Sequence, residues 1–172
     1  MKHPLSQFIY CPRCRSAHFQ AYNEKSNHCV DCGFIYYFNS SAAAVALILN
    51  EQNELLVCRR AKDAAKGTLD LPGGFIDMGE TAEEGVAREV LEETGLIVEK
   101  AVYQFTLPNI YVYSDFEVHT LDMFFLCKVA DTSQFKAMDD VSELFFLPLN
   151  AICIEAFGLS SIQKGVRKFQ QT

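Results

Sequence analysis

Residues 74–96 read GFIDMGETAEEGVAREVLEETGL, and the spacing of their charged residues decides the fold. Glu89, Glu92 and Glu93 stand at i, i+3 and i+4, so a helix over roughly residues 82–94 sends all three side chains out of one face. Thr81, three residues before Glu84, predicts a capping box, and Gly95 after Thr94 supplies a left-handed stop. Val86 and Val90, with Ala82 and Ala87 nearby, give the opposite side something to bury. Three carboxylates so close repel one another by a few tenths of a kcal/mol per pair. Hard cations with oxygen ligands remove that penalty, so Mg²⁺ or Mn²⁺ is the expected partner. Arg88 lies one turn before Glu92 and can reach Glu80, which makes it an orienter of carboxylates more than a reacting group. Gly73 and Gly74, in the Leu-Pro-Gly-Gly run 71–74, allow close backbone approach and leave a carbonyl at Gly73 to join the metal shell.

A second metal signal precedes this one. Cys11-x-x-Cys14 and Cys29-x-x-Cys32 are fourteen residues apart, and thiolates at that spacing favour tetrahedral zinc. Pro12 and Gly33 suit two tight knuckles, and residues 8–10 and 34–38 are predicted as short strands, so residues 1–38 are read as a zinc ribbon. A core that small does not fold alone, and the metal supplies the missing stability. Rival assignments are an iron site of rubredoxin type and a redox pair of disulfides. His28 is read as a bystander because four cysteines fill the shell, and Cys58, Cys127 and Cys153 as buried small hydrophobes.

The chain has 172 residues, about half of them apolar, enough for one good core and a small appendage. Formal net charge is −7, and seven acids between positions 77 and 93 face a single base, Arg88. A chain this acidic is a poor candidate for capturing a nucleic-acid backbone. No apolar stretch is long enough to span a bilayer and no secretory leader is apparent, so a cytoplasmic protein without membrane contact is expected. Residues 42–49, 54–59, 97–106 and 118–129 are rich in β-formers, 50–53 reads as a hairpin turn, and a second helix is expected over 160–170 with Ser160 as its cap. The fold class is therefore α/β, with a mixed sheet carrying helices on both sides over residues 39–172, after a short polar linker at 39–41.

Gly74, Glu80, Arg88, Glu89, Val90, Glu92, Glu93, Gly95 and Leu96 match the signature Gly-x5-Glu-x7-Arg-Glu-U-x-Glu-Glu-x-Gly-U, with U aliphatic, at every fixed position. The chain thus resembles the Nudix hydrolases over roughly residues 41–170, and Nudix proteins with an N-terminal zinc ribbon over nearly its whole length. The resemblance implies an α/β/α sandwich that hydrolyses a nucleoside diphosphate linked to another moiety, with Mg²⁺ or Mn²⁺ held by Glu89, Glu92, Glu93 and the Gly73 carbonyl. In some members the general base is the first glutamate after the arginine and in others an acid of a later loop, which gives Glu89 as first choice and Glu143 as second. Arg59 and Arg60 end a strand leading toward the box, and alternation lets one of them reach a phosphate.

Substrate choice is written less densely. Ribbon-bearing relatives include bacterial NADH pyrophosphatases, marked by Ser-Gln-Pro-Trp-Pro-Phe-Pro after the box; residues 106–112 here read TLPNIYV and keep the central proline and one aromatic. Phe105, Tyr111, Tyr113 and Phe116 cluster there and are candidates to stack on an adenine or nicotinamide ring. The expectation is a diphosphatase for NADH, ADP-ribose or a similar dinucleotide or nucleotide sugar. A house-cleaning nucleoside triphosphate pyrophosphatase and a non-catalytic nucleotide-sensing module are the alternatives. By analogy with many Nudix enzymes, a homodimer is expected.

Overall fold

The computed structural model describes residues 3–171, with the side chain of Tyr111 outside the described set. The chain divides into two compact units, Met1–Ser40 and Ser41–Thr172.

In the first unit β1 (Phe19–Asn23), β2 (Ser26–Cys29) and β3 (Ile35–Tyr37) form an antiparallel sheet in that order. Two knuckles flank it. In each, the residue after the second cysteine of the pair turns left-handed, Arg15 at φ 64° and Gly33 at φ 73°, and its N–H donates to the carbonyl of Cys11 or Cys29 respectively. Residues 8–10 are not a strand. The N–H groups of Ser6 and Phe8 are spent on turn bonds to His3 and Leu5, and the Phe8 ring stacks on Tyr36 instead. The strands the sequence hid are β1 and β2, and Phe19 of β1 supplies the apolar filling between Cys11 and Cys29.

The second unit runs β4 (Ser41–Ile48), β5 (Glu54–Arg60), β6 (Leu69–Asp70), β7 (Gly73–Phe75), α1 (Ala82–Thr94), β8 (Val98–Tyr113), β9 (Phe116–Val129), β10 (Val141–Pro148) and α2 (Ser160–Phe169), with two short 3-10 turns before α2. One sheet has the order β7-β4-β9-β8 and is mixed, with β4 and β9 parallel; the other, β10-β5-β6, is antiparallel. The turn at 50–53 carries the chain from the first sheet to the second, held by Asn50 Oδ1, which accepts from the N–H groups of Gln52 and Glu54.

Strand alternation explains the layers. Val45 and Leu47 of β4, with Leu55 and Val57 of β5 and Phe124 of β9, point to α2 and meet Ile162 and Val166. Ala44, Ala46 and Ile48, with Leu56 and Phe125, point the other way and meet Val86 and Val90 of α1. Gly165 lets α2 settle directly on the Phe124 ring, which a side chain there would strike. The result is an α/β/α sandwich, as expected, with differences in detail. β8 runs well past its expected end at 106, because its pairing with β9 continues to Tyr113 opposite Phe116, and β9 starts two residues earlier than expected. The α2 cap is Leu159 without a side-chain bond, and Ser160 is the first helical residue. Cys58 and Cys127 are buried as predicted, but Cys153 is exposed in the link between the two 3-10 turns. No helix among the described residues is long and apolar enough to cross a membrane.

Candidate functional site

Helix α1 begins and ends where the sequence said it would. Thr81 Oγ1 accepts from the Glu84 N–H while the Glu84 carboxylate accepts from the Thr81 N–H, and Gly95 closes the helix at φ 73°. The loop before it, residues 76–81, is tied down by Glu80, which accepts from the Asp77 N–H and from Arg88 at 2.7 and 2.9 Å. These bonds to Arg88 and the Asp77 amide hold the Glu80 carboxyl at about 2. The same guanidinium donates to Glu89 at 2.8 Å, to Glu92 at 3.1 Å and to the Phe75 carbonyl at 3.0 Å. Arg88 therefore ties loop, helix and β7 into one rigid corner.

Glu93 lies deepest. It is only 8 % exposed and accepts from the Gly73 N–H at 2.9 Å. Burial, joined by the nearby charges of Glu89 and Asp70, pushes its carboxyl up to about 8. Burial also raises Glu89, against the pull of Arg88. Both glycines of the turn are required by geometry. Gly73 has φ 147°, and a Cβ there would collide with the Ala44 carbonyl; at Gly74 a Cβ would lie 2.6 Å from the Glu89 carboxyl carbon. An alanine at Gly74 therefore displaces Glu89. Gly74→Ala is expected to lower turnover about 10²-fold with the unfolding midpoint nearly unchanged, since a misplacement of this size costs that much in rate. A variant as fast as the parent in a steady-state assay would show that the Glu89 position is unimportant.

These residues open onto a cleft of about 580 Å³. Nine carboxylates line it: Glu89, Glu92 and Glu93 from α1; Asp70 and Asp77; Asp122 from β9; Asp63, Asp139 and Asp140 from loops; the basic residue among the lining is Arg60. A cleft of this sign repels an anionic substrate unless cations enter with it. The three helix carboxylates share the cleft, yet their oxygens are not gathered into a tight cluster. Among the described residues only the cysteine quartet has its donor atoms all within 4.8 Å of one another. Arg88 explains the spread, since it holds Glu89 and Glu92 from one side as a counter-charge.

The alternation at the end of β5 is settled. Arg60 faces the cleft, where it binds Asp70 at 2.5 Å and the Ala64 carbonyl at 2.7 Å. Arg59 faces away and pairs with Glu143 across the β5–β10 ladder at 2.8 Å. Glu143 is therefore not in the cleft; the acids of that segment that line it are Asp139 and Asp140. Phe105 is not in the cleft either, being buried with its ring stacked 4.8 Å from Phe124 and Lys168 over its face. Of the aromatic cluster after the box, Tyr113 lines the cleft. The sequence reading missed Asp70, Asn109, Thr120 and Asp122. The signal was there for the last of these, a lone aspartate inside the otherwise apolar run LDMFFL.

In the first unit the four sulfurs of Cys11, Cys14, Cys29 and Cys32 converge, with Cys11 to Cys32 at 3.7 Å and Cys14 to Cys29 at 3.6 Å. Those edges fit a tetrahedron of sulfurs around one ion, since ~2.3 Å metal–sulfur bonds give edges of about 3.8 Å. Burial would raise the Cys29 thiol, but the Cys32 and Asp31 amides bring it down to about 7. Knuckle amides aimed at sulfur are what a thiolate ligand needs.

A glutamate-bearing helix locked against a glycine turn, on an α/β/α frame and facing an acidic cleft, is built to take an anionic substrate together with cations. The chain belongs to the NUDIX domain family, whose pattern covers residues 39–168, and is a Nudix hydrolase. It is 35% identical over 131 residues to an ADP-ribose pyrophosphatase of Methanocaldococcus jannaschii, covering 75% of each chain. It is 31% identical over 100 residues to the NAD-capped RNA hydrolase NudC of Vibrio cholerae, covering 58% of this chain and 36% of that one. A crystal structure of a NUDIX hydrolase from Nitrosomonas europaea shares the fold at a TM-score of 0.73 with 23% identity, over 94% of this chain and 90% of the other.

Proposed function

We propose that the protein hydrolyses the diphosphate bond of ADP-ribose, NADH or a similar dinucleotide or nucleotide sugar, using Mg²⁺ or Mn²⁺. The observation that carries this reading is the meeting of Glu89, Glu92 and Glu93 in one cleft beside the Gly73–Gly74 turn. The donor set is all oxygen and mostly anionic, which suits hard divalent cations, and among the described residues the buried Glu93 carboxyl has no ion-pair partner. Glu89, Glu92, Glu93 and the Gly73 carbonyl would hold the ions. Bound there, a divalent cation supplies charge neutralisation for the diphosphate and acidity for a water.

The rest is the work of the chain's own residues. Glu89, raised by burial and fixed at one oxygen by Arg88, accepts the proton of the attacking water at its carboxylate. Arg88, itself held by Glu80, keeps that carboxylate oriented. Arg60 also lines the cleft, and its guanidinium can turn from Asp70 toward a phosphate oxygen. Substrate profiling with Mg²⁺ and Mn²⁺ tests the reading. ADP-ribose or NADH is expected to yield a mononucleotide. If dinucleotides and nucleotide sugars are all inert while a nucleoside triphosphate releases pyrophosphate, the substrate class is wrong.

For the first unit the reading is one structural zinc on Cys11, Cys14, Cys29 and Cys32. Elemental analysis is expected to find one zinc per chain, and Cys14→Ser to lose it, lowering the unfolding midpoint by several degrees while changing the single-turnover rate less than about twofold. Iron in place of zinc, or a full complement of metal in Cys14→Ser, counts against the assignment.

A further inference from the structure

Away from the box, the cleft ends in buried polar side chains that the hydrolytic reading does not use. Asn109, Thr120 and Asp122 are each about 95 % buried, and all three line the cleft. Thr120 Oγ1 and Ser161 Oγ donate to the two oxygens of Asp122 at 2.5 Å each, and Ser160 Oγ donates to Asn109 Oδ1 at 3.5 Å. Buried polar groups are costly in an apolar core unless they are satisfied or serve a ligand. Here the hydroxyls fix the rotamers of Asp122 and Asn109. Among the described residues, each Asp122 oxygen accepts one of these hydroxyl bonds and keeps a further lone pair, and the Asn109 amide accepts one and has its N–H donors left for something in the cleft.

The register connects this cluster to the box. On the α2 face of the sheet, Phe75 of β7 pairs with Ala43 of β4, Ala43 with Asp122 of β9, and Thr120 with Asn109 of β8. Asn109 lies three strand steps across the sheet from the glycine turn, about 14 Å, and three residues further along β8 than the row of Gly74. A diphosphate, ribose and base laid end to end are long enough to span that separation. Ala43, small enough for a planar ring to lie over, lies between on the sheet, and Leu159, Ile162, Val118 and Tyr113 also line the cleft. An apolar slot closed by a few oriented polar groups is the form of a small-molecule subsite.

We propose that this slot is the nucleobase subsite and that Asp122 and Asn109 read the base as adenine. This rests on the diphosphatase reading above and names which end of the substrate is recognised. Asp122, an acceptor on both oxygens, takes a hydrogen from the exocyclic amino group, and the Asn109 amide donates to the neighbouring ring nitrogen, the two-point pattern that an amino-bearing purine edge offers. Hypoxanthine, with a carbonyl in place of the amino group, sets oxygen against the Asp122 carboxylate. Sites that hydrogen-bond a substrate group reject analogues lacking it strongly.

The test compares ADP-ribose with its deaminated analogue, inosine diphosphate ribose, and with UDP-glucose, on the full chain with Mn²⁺. In the wild-type protein kcat/KM for ADP-ribose is expected to exceed that for the inosine analogue by about 10²-fold or more. In Asp122→Asn, which places an amide donor against the analogue's carbonyl, the preference is expected to shrink at least tenfold or reverse. Asn109→Ala should lower kcat/KM for ADP-ribose through KM, and thermal unfolding of each variant shows whether it is folded. Equal turnover of ADP-ribose and the inosine analogue by the wild-type protein overturns the base assignment while leaving the diphosphatase intact. An unchanged preference in a folded Asp122→Asn overturns it too. Failure of every diphosphate-linked substrate would instead remove the reading on which it rests.

Discussion

Glu89→Gln is expected to unfold at nearly the parent temperature, to bind ADP-ribose with Mn²⁺ still held by Glu92, Glu93 and the Gly73 carbonyl, and to turn over at least 10²-fold more slowly. The substitution preserves size and leaves an amide oxygen to accept from Arg88 in the place where Glu89 now accepts at 2.8 Å, so the corner of loop, helix and β7 stays assembled. The variant loses the ability to take a proton, and losing a positioned general base costs 10²-fold to 10⁴-fold. The stability should hold because the Glu89 carboxyl, raised by burial, is under-solvated in the folded protein and a neutral amide relieves that cost. Single-turnover kinetics with saturating ADP-ribose separates chemistry from binding. Near-normal turnover would pass the base to an acid of the 139–143 segment. Glu143 itself is tied to Arg59 outside the cleft, which leaves Asp139 and Asp140 as the residues of that segment in position.

The contrast between Glu89 and Glu143 marks how far the amino-acid sequence could be read. Helix α1, its caps and its carboxylate face follow from spacing within one turn of chain, and local spacing determines which helical side chains are neighbours. The cysteine quartet was legible for a similar reason, because two short knuckles and one strand pair bring the sulfurs together. What could not be read depends on register between strands distant in sequence. Whether Arg59 or Arg60 enters the cleft is decided by the pairing of β5 with β10, and a shift of one residue would exchange them. Phe105 shows the same limit. As an aromatic beside others it suggested a stacking surface, but parity puts it on the α2 face of β8 and its place along the strand sets it in the core against Phe124, while Asn109, four positions on along the same face, reaches the cleft. Asp122 was the one distant residue that carried its own sign, since an aspartate amid apolar strand residues must be satisfied or used.

Removing divalent cations should make the fold lose stability as pH rises, and Glu93 should account for most of the loss. Its carboxyl is pushed up to about 8 in the folded protein, with burial the main cause, against 4.5 for a free glutamate. Below about pH 4.5 the group is protonated in both states, and its contribution to folding is fully present. Between 4.5 and 8 the unfolded chain ionises while the folded chain holds its proton, so the unfolded state is favoured as pH rises, by a total on the order of 5 kcal/mol above the upper end of the window. The metal-free protein is therefore expected to melt progressively lower from pH 5 to pH 8. Glu93→Gln, neutral throughout, should show a much flatter profile and be the more stable of the two at pH 8. Mn²⁺ reverses the order for the wild-type protein, because a cation beside Glu93 favours the carboxylate and displaces its proton. Calorimetric titration at pH 7 in buffers of different ionisation heat should register close to one proton released per wild-type chain as Mn²⁺ binds, and little for Glu93→Gln. Parallel pH profiles for the two metal-free proteins would mean that Glu93 is already ionised and balanced by some other group. Proton release unchanged by the substitution would move the displaced proton to another acid of the cleft, Asp70 first, since burial raises its carboxyl as well.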